Sequence, residues 1–361
     1  MATIYNFSAG PATLPTSVMA RAQADFIDHH GLCYGIVEAS HRSPEFGAII
    51  QRAETNIRNL TGIGDEFAVL FLQGGASTQF AMVPMNFLAP GCTAAYVDSG
   101  SWSTKAIKEA NNLGSTTTVA SSKASNYDRI PAFEAADIDT ATPYLHITSN
   151  NTIFGTQYQT VPDVPAGVPL VADMSSDILS RRLPFDAFDL IYAGAQKNLG
   201  PSGVTVIIIR RELAERGASS LPSMLDYRTH IKAESRYNTP PTFAIYMLML
   251  VTNWILDQGG VDAVEQVNRQ KAAALYACID ADDFYRGTAE PGSRSIMNVC
   301  YRLPTEAKEA DFGTVAKAAG FVGLKGHRSA GGIRASIYNA MPLSGVTALV
   351  DFMNDYRQRQ G

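Results

Sequence analysis

The chain has 361 residues, 46% of them hydrophobic and 17% charged, with a formal net charge of −5. That length suits about two domains, and that balance suits a globular protein with a large core. A negative chain without a long basic run argues against nucleic acid and anionic membrane as partners, while leaving room for a local cationic pocket.

The opening stretch, MATIYNFSAGPATLP, has neither the charged nor the apolar region of a secretory signal. The most apolar window, Phe243 to Leu256, is too short for a membrane span and contains Thr252 and Asn253. It reads as a buried helix started by Thr239, Pro240 and Pro241. Cys33, Cys92, Cys278 and Cys300 lack metal-ligand or redox spacing, so reduced thiols, a cytoplasmic location and no metal site are expected.

In chain order, a helix is expected from about Thr16 to His30. In HRSPEF, Ser43 has the form of an N-cap and Pro44 that of a first helical residue. Phe46, Ile49, Ile50, Ile57 and Leu60 then mark one helical face, which Gly62 ends. His41 and Arg42 therefore stand in a loop just ahead of a helix. From Phe67 onward, FAVLFL, TAAYV, STTTVA, PYLHIT, VPLVAD, FDLIYA and VTVIII are seven short runs expected as buried strands, several separated by helix-length segments. The pattern predicts an α/β fold with a mostly parallel seven-stranded sheet covered on both faces. A ligand then belongs at the carboxyl ends of the strands, where Gly74, Trp102, Asp173 and Lys197 fall. Gly259 and Gly260 mark a boundary, beyond which SIMNVCYRL, GIRASIY and three helices predict a smaller C-terminal α+β unit. The expected division is 16–259 for the large domain, with 1–15 and 260–361 forming the small one.

The chemistry centres on Lys197, between the last two strand runs. Gly194, Gly200, Pro201 and Gly203 hem it in and leave it little room to extend into solvent. A lone loop lysine is usually a solvated group, but Asp173 ends the nearby run VPLVAD. An acid and a lysine on the ends of neighbouring strands suit a pyridine cofactor: the acid keeps the ring nitrogen protonated and the lysine forms the Schiff base.

After FAVLFLQ comes Gly74-Gly75-Ala76-Ser77-Thr78 and then a helix. Small residues there let backbone N–H groups approach an anion at the positive end of the helix. The segment is neither the GxGxxG dinucleotide pattern nor a P-loop. Trp102, one of two tryptophans, is either core or a stacking partner for a planar cofactor. Thr152, in SNNTIFG, is either ordinary turn chemistry or part of a site. His-Arg-Ser occurs twice, at 41–43 and 327–329. Arg334 alternates with Ile333 and Ala335 in an apolar strand, where a cation usually meets a carboxylate of the protein or of a ligand. Together His41, Arg42, His327, Arg328 and Arg334 suggest a substrate with two separate anionic groups.

Through NFSAGPA, HRS, QGGAS, GSWS, SNNTIFGTQ, ADMSSDILSR, YAGAQKN, RYNTPPTF and GLKGHRS, in one order over almost the whole length, the chain resembles the phosphoserine aminotransferases. These belong to the class V group of fold-type I pyridoxal phosphate enzymes. The resemblance implies an aminotransferase of serine biosynthesis with pyridoxal 5′-phosphate as cofactor. It implies transfer from L-glutamate to 3-phosphohydroxypyruvate, giving O-phospho-L-serine and 2-oxoglutarate, in a homodimer with shared active sites. 4-Phosphohydroxy-L-threonine, of vitamin B6 synthesis, is a further candidate substrate.

By the same resemblance, Lys197 would be the Schiff-base lysine and Asp173 the partner of the pyridinium nitrogen. Trp102 would stack on the ring, and Thr152 would hydrogen-bond its phenolic oxygen. Ala76, Ser77 and Gln196 would hold the phosphate, which Asn238 and Thr239 would reach from the second subunit. Arg334 would bind the substrate α-carboxylate. His41 and Arg42 from the neighbouring chain, with His327 and Arg328, would bind the distal anion. Some branches of the family carry Arg where Ser77 stands, so the phosphate grip here is expected to rest on hydroxyl and N–H groups. A lyase on the same scaffold would need a mobile catalytic cysteine, whereas Cys300 is expected in a core strand. A non-catalytic α/β binding protein would be colourless.

Overall fold

In the computed structural model, which describes residues 4–360, the chain starts with a two-residue strand, β1 (Tyr5–Asn6), and a helix, α1 (Thr16–Ile27). α1 stops short of His30 because Asp28 turns extended and His30 takes a left-handed backbone. Helix α2 (Pro44–Thr61) begins and ends as its sequence predicts. Ser43 Oγ accepts from the N–H of Phe46 at 3.3 Å, and Gly62 caps the far end at φ 75°.

Strands and helices then alternate through β2 (Phe67–Leu72), α3 (Gly75–Phe87), β3 (Thr93–Asp98), α4 (Ser101–Asn111), β4 (Ser115–Ser121) and β5 (Leu145–Thr148). A small hairpin of β6 (Asn150–Asn151) and β7 (Thr156–Gln157) follows. Next come β8 (Leu170–Asp173), β9 (Leu190–Gly194) and β10 (Thr205–Arg210). Two short helices, α5 (Arg211–Glu215) and α6 (Tyr227–Lys232), lead to the long apolar α7 (Thr242–Asp257).

The seven expected strands form one sheet in the order β2-β10-β9-β8-β5-β3-β4. All its pairs are parallel except those of β10, which runs antiparallel to both β9 and β2. The reversal is local in origin: no helix separates β9 from β10, and a short connection can only turn the chain back. Alternate residues of β2 show why both faces are covered. Phe67, Val69 and Phe71 join the core under α2 and α7, while Ala68, Leu70 and Leu72 join the core under α3 and α4. Strand β4 departs from the expectation of a buried run. It forms the sheet edge, and its serines and threonines are mostly exposed.

The remaining elements are α8 (Gly260–Ile279), β11 (Arg286–Gly287), β12 (Asn298–Arg302), α9 (Glu306–Ala318), β13 (Phe321–Val322), β14 (Ile333–Ser336) and α10 (Leu343–Gln360). β11, β12 and β14 form an antiparallel sheet. β13 pairs in parallel with β1, and Phe7 packs in one core with Leu275, Tyr301 and Phe312. The N-terminal arm is thus held by C-terminal elements. Among the described residues no helix is long and apolar enough to cross a membrane, and the four cysteines are unbridged.

Candidate active site

A cavity of about 330 Å³ opens where the carboxyl ends of β5, β8 and β9 meet the first turns of α3 and α4. Lys197 enters it from the turn after β9. Its ammonium donates to Thr152 Oγ1 at 2.7 Å and stands 5.7 Å from the centroid of the Trp102 ring. Burial lowers the Lys197 pKa to about 8, against the pull of Asp173 and with the help of Arg334. Asp173 is the last residue of β8, directly beside Thr148 of β5, and is buried. Its Oδ1 accepts the backbone N–H of Ser175 at 2.9 Å. Burial raises its pKa, while Ser175 and Lys197 favour the carboxylate.

The anion end of the cavity is built by glycine. Gly74 and Gly75 sit at φ 92° and 66°, and a Cβ on Gly74 would lie 1.9 Å from Thr78 Oγ1. The turn they make starts α3 so that Ala76 and Ser77, whose N–H groups belong to its open first turn, line the cavity. Trp102, second residue of α4, forms a wall. Arg334 reaches in from β14, and its Nη1 donates to the carbonyl of Thr152 at 3.0 Å. Around this one cavity Trp102 Nε1, Thr148 Oγ1 and Arg334 Nε are buried with no partner among the described residues. Buried polar atoms seldom stay unpaired, so three together point to a polar ligand.

Of the expected residues, Ala76, Ser77, Trp102, Thr152, Asp173, Gln196, Lys197, His327 and Arg334 all line the cavity. His41, Arg42, Asn238, Thr239 and Arg328 do not line it within one protomer. His41 and Arg42 precede α2, and Asn238 and Thr239 precede α7, where the Thr239 carbonyl accepts from Gln73 Nε2 at 3.1 Å. Arg328 is exposed beside His327. His327 Nδ1 lies 2.7 Å from Ser329 Oγ, and burial together with Arg334, Arg328 and Lys105 lowers its pKa.

Some residues of the site escape a reading by periodicity. Ala9 and Gly10 of the N-terminal arm line the cavity. Gly10 sits at φ 136°, and a Cβ there would be 3.3 Å from Lys197 Cγ. The N–H of Ala12 donates to the carbonyl of Gln196 at 2.9 Å. Only the Ala-Gly-Pro in an otherwise patternless arm hints at this. Ser175 and Ser176, on the turn after Asp173, also face the cavity. Cys300, on β12, is buried against the Ile153 carbonyl, and burial pushes its thiol up to about 12, unlike a reactive cysteine.

The class-V aminotransferase family model matches residues 4–349, and the chain belongs to that family. It is 55% identical over 360 residues to the phosphoserine aminotransferase of Geobacillus kaustophilus, with 99% of each chain covered. The solved phosphoserine aminotransferase from Bacillus circulans subsp. alkalophilus superposes with a TM-score of 0.96 at 50% identity, covering 99% of both chains. A PLP-bound phosphoserine aminotransferase from Trichomonas vaginalis superposes with a TM-score of 0.91 at 35% identity, covering 97% of this chain and 99% of that one. Within the class-V family, the chain's place is with the phosphoserine aminotransferases.

Proposed function

We propose that the chain is a transaminase that moves the amino group of L-glutamate to 3-phosphohydroxypyruvate, giving O-phospho-L-serine and 2-oxoglutarate. Pyridoxal 5′-phosphate is its cofactor, and it works as a cytoplasmic homodimer with shared sites. The observation that carries the reading is the placement of Asp173 at the end of β8 and of Lys197 in the turn after the neighbouring β9, with Arg334 tied to Lys197 through Thr152. End-to-end likeness to phosphoserine aminotransferases supports the choice of substrates.

The cavity's residues fit the cofactor. Asp173 would meet the ring nitrogen, Trp102 would cover the ring, and Thr152 would meet its phenolic oxygen. The first turn of α3, with the Ser77 hydroxyl and Gln196, would take its phosphate, joined by Asn238 and Thr239 of the second subunit. When bound, pyridoxal 5′-phosphate supplies a carbonyl that an amine can attack and a ring that absorbs the electrons of a breaking Cα–H bond.

The chain's own residues do the rest. Arg334 binds the substrate α-carboxylate and so turns the Cα–H bond toward Lys197. Lys197 Nζ removes the Cα proton in one half-reaction and returns one in the other. A pKa of about 8 keeps part of the amine unprotonated near neutrality, which a proton carrier requires. Asp173, whose carboxylate form Lys197 and the N–H of Ser175 favour against its burial, would keep the ring nitrogen charged. His327 and Arg328, with His41 and Arg42 of the second subunit, take the distal anion, a γ-carboxylate or a phosphate. Both amino acids carry two anions, so one set of cations serves both half-reactions. 4-Phosphohydroxy-L-threonine presents the same pair and falls within the same proposal. In domain terms, residues 16–259 would hold the cofactor, while 1–15 and 260–361 would present Arg334 and His327 to the substrate.

The test is an absorption spectrum of the purified protein. A visible band is expected, lost on adding glutamate and restored by 3-phosphohydroxypyruvate. A band that glutamate leaves untouched contradicts the reading.

A further inference from the structure

We propose that Lys105 is a specificity-determining residue at the mouth of the site, a cation that favours the phosphorylated substrate over glutamate. The inference rests on the function proposed above and adds a residue to it. Lys105 lies one helical turn after Trp102 on α4, so both share a face. Its ammonium stands 4.4 Å from the centroid of the Trp102 ring. Trp102 and His327 both line the cavity, and the charge of Lys105 is one of those felt at His327. The amine therefore sits above the indole wall, on the side where the distal-anion cations gather.

An exposed helical lysine ordinarily pairs with a carboxylate one turn away. Here Glu109 occupies that position, yet its Oε2 accepts from Asn112 Nδ2 at 3.3 Å, and Lys105 has no carboxylate partner among the described residues. Among the described residues the one carboxylate that lines the cavity is Asp173, which is buried. An entering anion thus meets Lys105, His327 and Arg328 with no negative charge among them. The lysine's flexible four-carbon stem lets its ammonium follow the anion inward. A phosphate monoester carries about −1.5 to −2 charges near neutrality, whereas the γ-carboxylate of glutamate carries one. A point charge of this kind gains more from the phosphate, so Lys105 biases the site between its two substrates.

The experiment compares the wild-type holoenzyme with Lys105→Met, which keeps the aliphatic stem over Trp102, and with Lys105→Arg, which keeps the charge. At low salt, Lys105→Met should raise the KM for 3-phosphohydroxypyruvate by about threefold to tenfold. The KM for glutamate should change by less than about twofold, with Lys105→Arg close to wild type for both. Inhibition by inorganic phosphate should weaken in parallel with the first effect. Raising salt to about 0.5 M should bring wild type and Lys105→Met together, because an exposed charge is screened there. Equal losses for both substrates, a difference that survives salt, or no change in Lys105→Met would each overturn the proposal. Wild-type turnover of glutamate with 3-phosphohydroxypyruvate is the control for the underlying function, so a failed preference against an active wild type counts against Lys105 alone.

Discussion

The guanidinium of Arg334 donates to the backbone carbonyl of Thr152 at 3.0 Å, across 182 positions of sequence. The Thr152 hydroxyl meanwhile accepts from Lys197 at 2.7 Å. One threonine on a tight turn thus holds both the lysine and the arginine at the cavity. In the proposed role, Arg334 is the α-carboxylate partner of both substrates, which Arg334→Ala would remove, and a charge-assisted bond of this kind contributes about 1.5–3 kcal/mol. Steady-state kinetics should therefore show kcat/KM for glutamate and for 3-phosphohydroxypyruvate falling by at least about tenfold each. An unchanged value for either substrate removes Arg334 from the role given to it.

Protonation of Lys197 supplies a second prediction. Burial places its pKa at about 8, so the neutral amine gains population as pH rises through that value. Loading of pyridoxal 5′-phosphate onto cofactor-free protein, which needs the neutral amine, should accelerate with pH to a plateau above about 8. Asp173→Asn removes the charge that favours the ammonium and should shift the profile to lower pH. Arg334→Gln removes a like charge and should shift it higher. Profiles that stay fixed in both variants would falsify the electrostatic account of the site.

The sheet strands other than β4 were legible as short, largely apolar runs, rich in β-branched residues where burial is complete, as in VTVIII. Strand β4 was legible as a strand but not as an edge, since STTTVA alternates too little to show which side meets solvent. Lys197 and Asp173 stood out because polar groups ending apolar runs must lie at the sheet's rim. Gly10 could not be found that way. It reaches Lys197 because the arm is held by long-range contacts, the pairing of β1 with β13 and the bond of Ala12 to Gln196, with no local periodicity to announce them. That Gln73 would contact the loop of Thr239 was equally hidden in sequence.

The close approach of Gly10 to Lys197 leads to a third prediction. A methyl group at Gly10 would press on Lys197 Cγ at 3.3 Å, on a backbone at φ 136° that a side chain resists. Gly10→Ala should lower stability by about 1–3 kcal/mol and slow cofactor loading. Denaturant unfolding and the loading rate measure the two effects, and wild-type values for both would show that the arm does not press on the lysine.

A fourth prediction concerns Lys271, buried in α8 and unused by the chemistry. Its ammonium donates to the carbonyls of Ile337, Tyr338 and Met341 at 2.8–3.0 Å, just beyond the strand that carries Arg334. Lys271→Met would remove the lysine's hydrogen bond from all three carbonyls, of which Tyr338 keeps the N–H of Met341 at 2.9 Å, while relieving the burial of a charge. A net loss of about 2–4 kcal/mol in unfolding free energy is expected. An unchanged denaturation midpoint contradicts this reading of the clamp.

The most direct test of the central claim is to reduce the holoenzyme with borohydride, digest it and locate the cofactor by mass spectrometry. The account requires the pyridoxyl group on Lys197 and its disappearance, with the visible band, in Lys197→Ala protein that remains folded by circular dichroism. The group on another lysine, or a yellow and active Lys197→Ala, would contradict it.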